Sequence, residues 1–200
     1  MIEKLHEYSI DVDKNKVYFI LAVISIFGSM IIAFLLNCLI NVMPFIELTV
    51  SIAAFSVFGI LYKLFNKYIW KWKWVKKFGI ENTPNLNGTW EGELQSSYFD
   101  FKISQPATLV IEQTWTQICI KGEFNKSSSS SDTASLKINS GGGIKLLYSY
   151  YNDKAPEFYQ EGTSNHRGYA NLEIIENVAK GNYFNDPTNN SNHGKLKLEK

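Results

Sequence analysis

From Val17 to Ile46 the chain runs thirty consecutive residues without a charged side chain, and after Glu47 a second uncharged run continues to Tyr62. No other feature constrains the fold as strongly. A bilayer core is crossed by roughly 20 apolar residues of helix at about 1.5 Å rise per residue. A domain of this size has no interior deep enough to bury thirty. The sequence therefore predicts two transmembrane helices, 17–40 and 45–64, joined by a tight turn at 41–44. We expect no cleavage of a leader, because the first run is too long for a signal segment and lacks a small-x-small site before a polar mature start.

Loop charges set the expected orientation. Lys14 and Lys16 precede the first span, the turn has no Lys or Arg, and Lys63, Lys67, Lys71, Lys73, Lys76 and Lys77 follow the second. By the positive-inside rule both ends of this two-span protein face the cytoplasm and the turn faces the far side. Residues 1–16 read as a short polar tail. Residues 65–84 read as a basic, aromatic juxtamembrane segment and linker, with Trp70, Trp72 and Trp74 as a belt at headgroup level. Glu47, beside the turn, is expected at the interface.

Within the first span Ser25, Ser29, Ala33, Asn37 and Asn41 recur every four residues, which places them along one helix face. Small residues let helices approach closely in lipid. The stripe serves either packing inside the hairpin or self-association between protomers, with Ser25, Ser29, Ala33 and Asn37 as the candidate oligomerisation positions.

Beyond the turn-rich stretch 82–85 the hydrophobic period changes from helical to two. Trp90, Gly92 and Leu94 alternate with Glu91, Glu93 and Gln95, and the alternation recurs through Ile118/Ile120, Ala134/Leu136/Ile138, Ile144/Leu146/Tyr148/Tyr150, Ala170/Leu172/Ile174 and Leu196/Leu198. Half-buried strands read this way. With 108–112 and 181–184 the count is about eight, so residues 85–200 are expected to form an antiparallel up-and-down barrel of lipocalin-like form. Residues 108–124 fit either one bent strand or a hairpin, since Gln113-Thr114 offers no Gly or Asn for a tight turn. The long connections, 97–106, 125–132, 152–166 and 185–192, fall at one end, which is the expected ligand mouth.

Composition excludes several classes of function. After Thr83 there are eleven basic and thirteen acidic residues, too balanced for a binder of DNA or RNA polymers. The two cysteines cannot build a disulfide framework. There is no nucleophile elbow, phosphate loop or HExxH motif, and His6, His166 and His193 are too scattered for a metal site. We expect no catalysis, no metal and no cofactor. A binding pocket is better supported. Arg167, the chain's only arginine, stands in His166-Arg167-Gly168 at the exit of the longest mouth loop. Guanidinium suits bidentate phosphate contacts, and Tyr148 and Tyr150 end the preceding strand with faces on which bases stack. Each residue also has a plainer role open to it. Arg167 can be a solvated surface side chain, the tyrosines core residues with polar tips, and Ser127 to Ser131 a flexible mouth loop.

The order of parts resembles a known family. Two N-terminal transmembrane helices precede Asn85-Leu86-Asn87-Gly88-Thr89-Trp90-Glu91-Gly92, followed by Ile111-Glu112-Gln113-Thr114-Trp115, Leu147-Tyr148-Ser149-Tyr150-Tyr151-Asn152, His166-Arg167-Gly168 and Lys180-Gly181-Asn182-Tyr183-Phe184. In this the chain is similar to the two-transmembrane, β-strand-rich effectors of cyclic-oligonucleotide-based antiphage signalling (CBASS). The resemblance implies a barrel that senses a cyclic di- or trinucleotide made by a partner nucleotidyltransferase. It further implies homo-oligomerisation on ligand binding, disruption of the inner membrane by the helices, and death of the infected cell. The candidate ligand contacts are Arg167, Tyr148, Tyr150, Trp90 and His166, with Lys145 or Lys154 assisting. The alternatives are a membrane-tethered, lipocalin-like binder of an apolar ligand, and a scaffold that offers an open strand edge to a protein partner.

Overall fold

A computed structural model describes residues 5–40, 46–138, 143–158, 165–186 and 192–200, and all of their side chains except those of 37–40 and 46–52. The chain divides into two compact units, Val12–Thr83 and a second made of Met1–Asp11 with Pro84–Lys200.

The first unit is helical: α1 (Asn15–Ile40), α2 (Ile46–Lys67), a 3-10 turn (Ile69–Lys71) and the short α3 (Lys73–Lys77). Over Asn15–Leu36 the mean hydropathy is 2.8, yet only 17% of the segment is buried. Phe19, Phe27 and Phe34 are 71, 63 and 67% exposed. A water-soluble core helix hides such residues, whereas a lipid-facing helix presents them. The buried side of α1 is the stripe Val17, Leu21, Ser25 and Ser29, spaced by four. The Ser25 and Ser29 hydroxyls donate to the carbonyls of Ala22 and Ile26, both at 2.7 Å, so each is satisfied within its own helix. A Cβ on Gly28 would lie 3.5 Å from Val57 Cγ1, so α1 and α2 run in close contact. Ser25 and Ser29 are thus covered within a single chain, and Ala33 is half-buried. The expected turn at 41–44 and the side chains of Asn37, Asn41 and Glu47 lie outside the described residues. The expected aromatic belt is only partly present: Trp72 and Trp74 are about half exposed, but Trp70 is fully buried. Chain order explains the difference, since Trp70 lies inside the 3-10 turn that bends the chain between α2 and α3.

The second unit is a closed nine-stranded barrel. Eight strands form the expected up-and-down meander: β2 (Gly88–Ser96), β3 (Ser104–Gln113), β4 (Gln117–Phe124), β5 (Ser127–Ile138), β6 (Ile144–Lys154), β7 (His166–Ile175), β8 (Val178–Asn185) and β9 (His193–Glu199). Each pairs antiparallel with the next, and β9 closes on β2. Residues 108–124 resolve as a hairpin. Thr114 substitutes for the missing Gly or Asn, donating its amide to the Gln117 carbonyl at 2.8 Å and accepting from the Gln117 amide through Oγ1 at 2.9 Å. Closure removes the open edge that a scaffold role would require.

The ninth strand comes from the N-terminal segment, which the sequence presents as a polar tail. Here β1 (His6–Ile10) wedges between β4 and β5. It runs antiparallel to β4 (His6↔Ile118) and parallel to β5 (Tyr8↔Ala134, Ile10↔Leu136). Between β4 and β5 direct pairing stops at Lys121↔Ser130, and β5 shifts register between Ser131 and Thr133. A bulge at that point bends the strand and opens the seam that β1 fills. The His6 ring holds the junction, 2.7 Å from Ser131 Oγ, which also accepts from the Ile120 amide at 3.0 Å.

Candidate ligand-binding site

The two ends of the barrel are built differently, and the difference locates the site. At the end of the short turns the interior is apolar, with Trp90, Leu109, Ile111, Ile118, Leu136, Leu172 and Leu198 fully buried. Gln113 seals it. Its Oε1 accepts from the Leu86 amide at 2.8 Å, and its Nε2 donates to Tyr8 Oη at 3.0 Å and to the Pro84 carbonyl at 3.1 Å. Tyr8 in turn donates to the Trp115 carbonyl at 3.0 Å, clipping β1 in place. Trp90 donates its Nε1 to the Leu86 carbonyl at 3.0 Å and carries Lys200 Nζ 5.4 Å above its ring.

At the opposite end the barrel opens on a cavity of about 230 Å³. Small side chains create it. Ser127 and Ser129 on β5 and, across the barrel, Ser96 on β2 line its walls where larger residues would fill the space, and Tyr148, Tyr150 and Tyr183 form its floor. The serines expected in a flexible loop are in fact strand, since Ser127 to Ser130 pair with both β4 and β6, Ser131 pairs with β6, and only Asn125 and Lys126 turn the chain. Serine has low β-propensity, but strand neighbours on both sides override it.

The tyrosines are seated by glycines across the sheet. Tyr150 pairs with Gly168 and Tyr183 with Gly194. A Cβ on either glycine would strike the tyrosine ring opposite, so each ring lies over bare backbone. Tyr150 donates its hydroxyl to Asn185 Oδ1 at 3.0 Å, and its ring sits 6.0 Å from that of Tyr148. Burial drives the Tyr148 and Tyr150 hydroxyls far above their ordinary range, Tyr150 further through the nearby Tyr148 and Tyr183. Tyr183 shifts the same way by burial, partly offset by its hydrogen bond with Ser96. The floor is therefore neutral and does not repel an anion.

Higher on the wall Asn152 donates Nδ2 to Ser127 Oγ at 3.2 Å. Two residues on along β6, Lys154 also lines the cavity; its Nζ is buried and has no hydrogen-bond partner among the described residues. The rim is aromatic. Ser96 Oγ caps a 3-10 turn, Ser97–Phe99, by accepting from the Tyr98 amide, and Asp100 and Phe101 turn the chain through the left-handed region. Tyr98 and Phe99 meet edge to face at 4.8 Å, with Tyr98 55% exposed beside the opening.

Of the sequence-derived contacts, the structure brings Tyr148, Tyr150 and His166 to the cavity and leaves two elsewhere. Arg167 is exposed on the outer face of β7, opposite Tyr151, because alternation turns it away once His166 points in. Trp90 belongs to the closed end. Residues not singled out from sequence, among them Tyr98, Phe99, Lys126, Asn152, Tyr183 and Asn185, also line the cavity. For the strand residues the signal was available: Asn152 and Lys154 share the parity of the inward-facing Leu146, Tyr148 and Tyr150. Lys145, also weighed as an aid to Arg167, has the opposite parity and does not line the cavity.

Comparison with known proteins accounts for both units. The family model described as Cap15, cyclic dinucleotide receptor domain, matches residues 81–200, and that described as Cap15, TM helices, matches residues 15–71. The chain belongs to the Cap15 family. It is 30% identical over 197 residues to CD-NTase-associated protein 15 of Yersinia aleksiciae, a match covering 91% of each chain. Cap15 proteins are CBASS effectors that join transmembrane helices to a cyclic dinucleotide receptor domain. This chain is accordingly a membrane-associated protein of antiviral defence whose barrel is that receptor domain. The mouth of this Cap15 barrel, with its amide and hydroxyl groups and its lysines, Lys126 and Lys154, is a polar site of the kind a nucleotide needs. It contrasts with the wholly apolar cavity that a carrier of apolar ligands would present.

Proposed function

We propose that this Cap15 protein is a ligand-gated membrane effector. A cyclic dinucleotide made by a partner nucleotidyltransferase enters the barrel mouth, the helices self-associate, and the assembly disrupts the bacterial inner membrane and kills the infected cell. The observation that carries this reading is the polar, aromatic-floored cavity in a barrel whose ninth strand directly precedes the first helix in the chain. Strand β1 ends at Ile10 and α1 begins at Asn15, so a change at the β4–β5 seam has only 11–14 to cross before it reaches a helix. The lysine distribution supports cytoplasmic termini, which place the receptor where the second messenger is made.

Self-association through Ser25, Ser29, Ala33 and Asn37 requires the hairpin to rearrange, because Ser25 and Ser29 are already covered in a single chain. Ligand binding is one source of the differential free energy such a shift needs. The test uses the full chain in lipid nanodiscs and in dye-loaded vesicles. Calorimetry against a panel of cyclic di- and trinucleotides should give saturable binding to at least one, and that ligand should produce crosslinked oligomers and dye release. The absence of binding to every member of the panel overturns the receptor reading. Binding without oligomers or leakage overturns the effector mechanism alone. Ser29→Leu should retain binding and lose assembly.

A further inference from the structure

The cavity holds one chemical mismatch that the fold does not resolve. We infer that Lys154 is the phosphate-binding group of this receptor, a role that the residue types in the sequence assign to Arg167. This deepens the proposed ligand-gated reading and rests on it.

Lys154 ends β6 on the inward parity set by Tyr148, Tyr150 and Asn152. Its backbone is pinned: its amide donates to Asn165 Oδ1 at 2.9 Å, and Asn165 Nδ2 reaches back to Asp153 Oδ1 at 2.8 Å. Lysine normally keeps its ammonium in water while its stem lies on apolar surface. Here the Nζ is out of solvent and makes no hydrogen bond among the described residues. An ammonium left in that condition is costly, and the cost persists only where something else requires it. The cavity supplies the requirement. Lys126, exposed in the β4–β5 turn, and His166 also line it, and the rest of the described lining is uncharged: hydroxyls of serine and tyrosine, amides such as those of Asn152 and Asn185, and rings.

The geometry selects the chemistry of the missing partner. The three ammonium N–H groups donate to oxygens from several directions, which suits a tetrahedral phosphodiester better than a planar carboxylate. The neighbouring groups add donors of their own. With Oδ1 occupied by the Tyr150 hydroxyl, the Asn185 Nδ2 is the free end of that amide among the described residues; with Nδ2 on Ser127, Asn152 offers its Oδ1. A donor and an acceptor on adjacent walls match the edge of a base, while the lysine neutralises the phosphate that joins it to the ring. Arg167 cannot serve, being exposed on the outside of β7.

The experiment compares wild type, Lys154→Met and Arg167→Ala as full chains in nanodiscs, with the cyclic dinucleotide that wild type binds as probe. Methionine keeps the length and removes the charge. Loss of one charge-assisted contact should weaken affinity on the order of 10- to 100-fold and flatten its dependence on salt, while Arg167→Ala leaves both unchanged. Without ligand, Lys154→Met should melt at a higher temperature than wild type, because an unpaired buried ammonium has been removed. Wild-type-like affinity in Lys154→Met overturns the inference and leaves the receptor reading intact. A lower melting temperature in the ligand-free variant marks a structural lysine and also overturns it. Failure of wild type to bind any member of the panel removes both.

Discussion

The two ends of the barrel are made from the same strands and do opposite work. At the closed end the polar side chains that close the floor are satisfied within the fold: Gln113 bridges Leu86, Pro84 and Tyr8, and Trp90 reaches Leu86. At the mouth the same strands end in Asn152, Lys154 and Asn185, whose hydrogen-bonding capacity is only part used among the described residues. Satisfied polar groups and packed rings stabilise a fold. Polar groups held rigid with open valences are what a ligand binds. Stability and recognition are thus separated along the barrel axis, so damage to one end should leave the other's property largely intact.

The strongest attempt to break that separation is Trp90→Ala at the closed end. It removes a fully buried ring and orphans the Leu86 carbonyl, and should cost about 3–5 kcal/mol in chemical denaturation. If ligand affinity of the folded fraction changed as much as stability, the two ends would not be independent. Alkaline pH probes the mouth more gently. The Tyr148, Tyr150 and Tyr183 hydroxyls titrate higher in the fold than in the unfolded chain, where tyrosine ionises near about 10. Above that pH the unfolded state binds fewer protons than the native state, so stability should fall as pH rises, by roughly 1 kcal/mol per pH unit for each tyrosine fully protected. Below it these three groups contribute no slope. Denaturation midpoints between neutral and strongly alkaline pH check this, and a barrel carrying Phe at the three positions should lose the alkaline slope. The smallest effect is expected from Tyr150→Phe, which removes the bond to Asn185 and should cost about 0.5–1.5 kcal/mol. Its effect on nucleotide affinity should exceed its effect on stability, the reverse of the pattern at Trp90.

The helical unit and the eight-stranded meander were legible because both are written in hydrophobic period. An uncharged run of thirty residues and alternation by two leave few other ways to bury apolar surface. Strand β1 was not legible. His-Glu-Tyr-Ser-Ile is five residues among charges, and its partners, Ile118 and Ala134, stand more than a hundred positions away. The serine run misled for the same reason, since its strand conformation comes from β4 and β6 and not from serine. Arg167 failed as a mouth residue although the information was present. The parity of Ala170, Leu172 and Ile174 puts His166 inside and Arg167 outside, and chemical suitability for phosphate carries no information about facing.

By itself the sequence determined the class of this protein: an apolar helical segment fit for a membrane, a β domain without a disulfide framework, and a family likeness carried by the order of its parts. Those follow from composition and periodicity, which are local. Only the tertiary structure decided that the N-terminal segment is the ninth strand, that the serine run is strand, and that Ser25 and Ser29 are covered within one chain. Each of these depends on which distant strand or helix lies alongside, and such long-range pairing is fixed by the closed fold as a whole.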